Sequence, residues 1–214
     1  MRNVRTRVKI CGLTTPQDAA RAVRAGADAV GVVLTDSLRQ VTISQAEAVF
    51  AVVPPFVARV GVFVDAPAHF VAEAVGRLHL AAVQFHGAET PEMCVDAPAP
   101  VVKAVRVGPA FDPASLEAYR GSVAALLLDT LVEGKDGGTG RTFAWNSVLP
   151  LPDWIPVAVA GGLTPANVGD AVRTLRPFAV DVASGVEERP RYKDKLALHA
   201  FVAAVRAADE EERV

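Results

Sequence analysis

Eight short runs of β-branched and other apolar residues recur along the chain: Val8–Cys11, Ala29–Leu34, Arg59–Val64, Ala82–Phe85, Val101–Val105, Ala124–Asp129, Val157–Ala160 and Phe178–Val182. Most are apolar at consecutive positions, the pattern of a strand covered on both faces. Their spacing averages roughly 24 residues, which holds a strand, a helix of about three turns and two connections. Parallel pairing through helical crossovers follows. Capping hydroxyls or first-turn prolines at Thr15-Pro16, Ser44, Thr90-Pro91 and Thr164-Pro165 mark helix starts between the runs.

Eight sequential units with no G-x-G-x-x-G after the first strand favour an α/β fold closed as one (β/α)₈ TIM barrel, a parallel eight-stranded sheet. An open doubly wound sheet is the alternative. The chain has 214 residues, 51% of them hydrophobic, enough to bury a core as a single domain over residues 1–214. The charged tail Asp209–Arg213 extends or frays the last helix.

The net charge of −2 lacks the positive excess a nucleic-acid binder uses, so the expected partner is a small molecule. Two cysteines and four histidines form neither a disulfide framework nor a zinc pattern, so no metal is expected and a reducing, cytoplasmic setting fits. The arginine-bearing N-terminus runs into a strand-like stretch with no signal-peptide pattern. No apolar run reaches the roughly 18 residues that suggest a membrane span.

In a barrel of this kind the working residues lie at the C-terminal strand ends and in the loops beyond them. Gly161 and Gly162 after the seventh run, with Ser184 and Gly185 after the eighth, offer backbone N–H groups to a phosphate; the plainer alternative is tight turns. The segment holding Gly137, Gly138, Thr139 and Gly140 is too glycine-rich for a rigid element and is expected to be a mobile lid. Cys11 alone is an ordinary small apolar residue. Asp129, closing an apolar strand, is either a loop cap or an exposed active-site carboxylate.

Lys9-Ile10-Cys11-Gly12-Leu13-Thr14, Gln84-Phe85-His86-Gly87, Leu128-Asp129 with Gly137-Gly138-Thr139-Gly140, Ala160-Gly161-Gly162-Leu163 and Asp181 to Glu187 occur in that order on successive strands. Together they resemble the phosphoribosylanthranilate isomerases of tryptophan biosynthesis, and the resemblance spans residues 8–195. It implies an Amadori rearrangement of a sugar-phosphate substrate, without metal or organic cofactor, by a monomer or homodimer. On that model Asp129 is the general acid and Cys11 the general base. Arg39 binds the anthranilate carboxylate, or is otherwise a solvated loop charge.

Alternation places Asp181 and Lys9 inside the barrel on neighbouring strands, where they are expected to pair and Lys9 to help Cys11 ionise. Gln84 and His86 share one side of the fourth strand, lining the pocket or serving a structural hydrogen bond. The sequence departs from the family pattern at Leu38, Phe85, Ala144, Ala183 and Arg191. Indole-glycerol-phosphate synthase, ribulose-phosphate epimerase and the dual-substrate isomerase each need catalytic residues that fit less well here. A non-catalytic sugar-phosphate sensor would not need both Cys11 and Asp129.

Overall fold

The computed structural model describes residues 5–130 and 145–211. Eight parallel strands close in chain order: β1 (Arg7–Ile10), β2 (Ala29–Val33), β3 (Ala58–Phe63), β4 (Ala82–Phe85), β5 (Val101–Val107), β6 (Ala125–Thr130), β7 (Val157–Val159) and β8 (Ala179–Val182). Closure is made by β1 against β8, with Arg7 opposite Ala179 and Lys9 opposite Asp181. The open-sheet alternative is therefore excluded.

Helices α1 (Pro16–Ala25), α2 (Ile43–Phe50), α3 (Ala68–Leu78), α4 (Pro91–Val95), α5 (Val168–Leu175) and α6 (Lys195–Glu211) follow β1, β2, β3, β4, β7 and β8. The Thr15 and Thr90 hydroxyls cap α1 and α4, each with proline in the first turn. Two expected starts move. Helix α2 begins with a Thr42/Gln45 capping box, not at Ser44, because the paired Thr and Gln satisfy both end groups. Helix α5 begins at Val168, because Asn167 turns back to accept from the Thr164 N–H and to donate to the Gly162 carbonyl.

The three-turn helix implied by the average spacing is missing after β5, where Pro113–Tyr119 forms a 3₁₀ turn after Pro109. Helix α4 stops after five residues, ahead of Pro98 and Pro100. The charged tail continues α6 to Glu211 and ties the last helix to the start of the chain, since Asp209 accepts from the Thr6 N–H at 2.8 Å and the Thr6 hydroxyl at 2.7 Å. A main core lies between strands and helices, where Ile10, Val30, Ala46, Phe50, Leu198 and Phe201 are buried.

Candidate active site

The C-terminal strand ends open into a cavity of about 780 Å³ whose walls include Cys11, Arg39, Gln84, His86, Asp129, Gly161, Gly162, Asp181, Ser184 and Gly185. Every site residue named from the sequence within the described residues therefore meets in one place. Gly137, Gly138, Thr139 and Gly140 lie outside the described residues, as does Ala144.

Cys11 follows β1, its N–H donating to the Val182 carbonyl at 2.8 Å. Two residues before Cys11 on the closing seam, Lys9 Nζ stands 2.9 Å from Asp181 Oδ1, as alternation requires. Burial alone would pull the Lys9 ammonium down, but Asp181 and Cys11 outweigh it and hold it above its ordinary value. Lys9 lowers the Cys11 thiol, as expected from the sequence, but the thiol still lies above its ordinary value. Burial pushes the thiol up and outweighs the lowering by Lys9, while Asp181 adds to the rise.

Gly31 on β2 makes room for this pair. A methyl group there would stand 3.0 Å from Cys11 Sγ and 3.2 Å from Lys9 Cε. The sequence shows Gly31 only as one residue inside an apolar strand, so its role becomes visible only when β2 lies beside β1.

Asp129 is the last residue but one of β6, with Oδ1 accepting from the Thr130 N–H at 2.8 Å and Oδ2 at 3.1 Å from His86 Nε2. Gln84 Nε2 lies 3.2 Å from His86 Nδ1. The strand end bearing His86 is tied from below by the buried Lys103, whose Nζ donates to the Gly87 carbonyl and to Glu89 at 2.7 Å each. Glu89 also accepts from the Gly87 N–H.

Arg39 presents its Nε and Nη2 to the two oxygens of Glu187 at 2.7 Å each. The side edge of its fork is thus occupied by protein. Lys193, fully buried, donates to Glu187 Oε1 at 3.0 Å and to the Ala183 carbonyl at 2.8 Å. Burial alone would raise the Glu187 carboxyl, but Arg39 and Lys193 together hold it below its ordinary value. Sequence reasoning placed Glu187 in a motif without a role and missed Lys193, since their meeting depends on a hairpin, β9 (Glu187–Arg189) with β10 (Tyr192–Lys193). Arg106 also lines the cavity and was not singled out from the sequence.

Gly161 and Gly162 have φ of 82° and 64°, left-handed values that favour glycine. A methyl at Gly161 would stand 2.6 Å from Asp129 Oδ1, so this glycine also lets β6 and the loop after β7 close together. Ser184–Val186 forms a short 3₁₀ turn whose Gly185 packs against the Leu163 backbone. The two glycine-bearing loops are therefore in contact.

The family model for N-(5'phosphoribosyl)anthranilate (PRA) isomerase matches residues 8–204. This chain belongs to that family. Among its relatives, the N-(5'-phosphoribosyl)anthranilate isomerase of Pseudomonas fluorescens (strain SBW25) is 46% identical over 201 residues, covering 94% of this chain and 95% of that protein. That of Halorhodospira halophila is 46% identical over 209 residues, covering 97% and 100%. A crystal structure of phosphoribosyl anthranilate isomerase from Thermotoga maritima superposes with a TM-score of 0.88 at 39% identity, covering 94% of this chain and 99% of that one. A phosphoribosyl anthranilate isomerase in complex with reduced 1-(o-carboxyphenylamino)-1-deoxyribulose 5-phosphate gives 0.84 at 38% identity, with the same coverage. The PRA isomerase family supplies enzymes of tryptophan biosynthesis, and this chain is an isomerase of that family on a TIM barrel.

Proposed function

We propose that this chain converts N-(5-phosphoribosyl)anthranilate to the corresponding 1-deoxyribulose phosphate, with Asp129 as general acid and Cys11 as general base. The observation that carries this reading is that Cys11 of the β1 end and Asp129 of β6 line one cavity, together with both glycine loops and Arg39. Asp129 protonates the furanose ring oxygen, the C1′–O bond breaks, and a Schiff base forms. The Cys11 thiolate then takes the C2′ proton, and the enolamine tautomerises to the ketone. Proton transfers alone complete the reaction, so no cofactor or metal is assigned to it.

The substrate's phosphate is assigned to the backbone donors of Gly161, Gly162, Ser184 and Gly185, which approach an anion without Cβ interference. Its carboxylate is assigned to Arg39. Glu187 uses the Nε and Nη2 edge, and a guanidinium has five N–H donors, so the end edge of Nη1 and Nη2 is the one open to a second carboxylate. Gln84 and Asp181 line the sugar's side of the cavity in this reading, and His86 contacts the acid. The barrel acts as one domain, as a monomer or homodimer, and the unpaired Cys11 and Cys94 suit a reducing cytoplasm.

Calorimetric titration with reduced 1-(o-carboxyphenylamino)-1-deoxyribulose 5-phosphate tests the site directly. The reading expects one ligand per chain, with affinity lowered about tenfold or more in Arg39→Lys, which keeps the charge and loses the fork. No binding by the parent chain, or unchanged affinity in Arg39→Lys, contradicts it.

A further inference from the structure

Asp129 has one oxygen committed and one facing a histidine. Oδ1 accepts a backbone N–H from Thr130, so the proton of an acidic Asp129 belongs on Oδ2, which stands 3.1 Å from His86 Nε2. Behind the ring, the amide of Gln84 meets His86 Nδ1 at 3.2 Å. Gln84 is buried, and its Oε1 has no hydrogen-bond partner among the described residues.

The two ends of that amide differ in what they permit at the ring. With Gln84 Nε2 against Nδ1, the ring must accept there, and its single proton sits on Nε2, pointing at an ionised Asp129. With Oε1 turned to Nδ1, the ring donates there, and Nε2 is able to exchange a proton with Oδ2. A turn of the amide moves the unmatched polar end from the oxygen to the nitrogen. Gln84 therefore has two settings, and the choice between them follows the protonation of the His86–Asp129 pair.

We infer that His86 returns the proton to Asp129 after each turnover, with the Gln84 amide selecting the tautomer that does so. The inference rests on the reading of Asp129 as the acid. When Oδ2 has given its proton to the ring oxygen of the substrate, a carboxylate faces a neutral His86 whose proton is on Nδ1, bonded to Gln84 Oε1. His86 Nε2, on a side chain 22% exposed at the cavity wall, takes a proton from water and becomes imidazolium. It passes that proton to Oδ2 and is neutral again. One proton enters from water for each one that leaves on the ring oxygen.

The charged neighbours are consistent with this path. Asp129 faces His86 from β6, and Arg106 on β5 pairs in register with Asp129 and lines the same cavity. Lys103, also on β5, is turned beneath the loop onto Glu89 and the Gly87 carbonyl, which fixes the strand end that presents the ring.

Rapid mixing with excess substrate separates the first turnover from the later ones. His86→Gln keeps an N–H for Asp129 and cannot carry a second proton. It is expected to make one product equivalent per site at close to the parent rate and then to run about tenfold slower or more. His86→Ala is expected to show the same slow phase, and added imidazole to restore it. Equal slowing of first and later turnovers, no slow phase, or no response to imidazole overturns the inference. Asp129→Asn in the same experiment is expected to lose the first turnover; if it keeps it, Asp129 is not the acid and the underlying reading fails by itself. Histidine ¹⁵N spectra of the parent chain test the tautomer without substitution. A His86 signal fixed as the Nε2–H form from about pH 5 to 9 also overturns the inference.

Discussion

Lys9 and Asp181 are 172 residues apart in sequence and meet at 2.9 Å across the seam that closes the barrel. The pair sits next to Cys11 and pulls its thiol in two directions, Lys9 down and Asp181 up, against a background of burial that raises it. Closure of the fold and tuning of the proposed base thus share one contact.

That opposition gives paired expectations for the pH profile. The rate rises with pH as the Cys11 thiolate forms. Lys9→Met removes the lowering and should move the ascending limb to higher pH. Asp181→Asn removes a raising charge and should move it to lower pH. Lys9→Met also leaves Asp181 buried without its partner, for a stability loss of about 3–5 kcal/mol. Steady-state rates over pH, with urea melts of both variants, check this; limbs that move together contradict it.

Gly31→Ala places a methyl 3.0 Å from the Cys11 sulfur. The side chains must shift, and misplacement by about 1 Å is enough for about a hundredfold loss of rate. Overpacking of this size costs about 1–3 kcal/mol, so the variant should still fold. Kinetics with a thermal melt separate the two effects.

The seam pair was legible in the sequence because alternation fixes which strand residues point inward, and the eight strands were legible because buried parallel strands are apolar throughout. Cys11, Asp129 and the glycine loops followed from their places at strand ends. Gly31, Glu187, Lys193 and the Lys103–Glu89 tie were not legible. Each acts through a neighbour distant in sequence, and a lysine in an apolar strand or a short hairpin carries no local mark of its partner. Asn167 escaped notice for a related reason, since its side chain shapes the turn before α5 where Thr164-Pro165 looks like the cap.

Glu187 links stability to acid. Its folded carboxyl ionises at a lower pH than the ordinary value of 4.5, so the unfolded chain binds more protons in that interval and stability rises with pH there. The contribution is present above about pH 4.5 and is lost as pH falls through the depressed folded value. Glu187→Gln should flatten this part of the stability curve, measured by urea midpoints from about pH 3 to 7. An unchanged slope contradicts the Arg39–Glu187–Lys193 account.

Arg191 has φ of 78°, and its guanidinium donates to the Leu38 carbonyl at 3.0 Å and the Gln40 carbonyl at 3.4 Å, on either side of Arg39. Arg191→Gly relieves the left-handed strain and loses this clamp. Stability should stay within about 1 kcal/mol, because strain relief and the entropy of glycine oppose each other. KM should rise about two- to tenfold as the loop bearing Arg39 loosens. A melt and a substrate titration on the same variant decide the point.

The central claim, that Cys11 and Asp129 carry the proton transfers, is tested most directly by following the fluorescence of freshly generated phosphoribosylanthranilate with the parent chain, Cys11→Ser and Asp129→Asn. Turnover by the parent chain and a loss of about 10²- to 10⁴-fold in each variant is the predicted result. An inactive parent chain, or a variant with full activity, would contradict it.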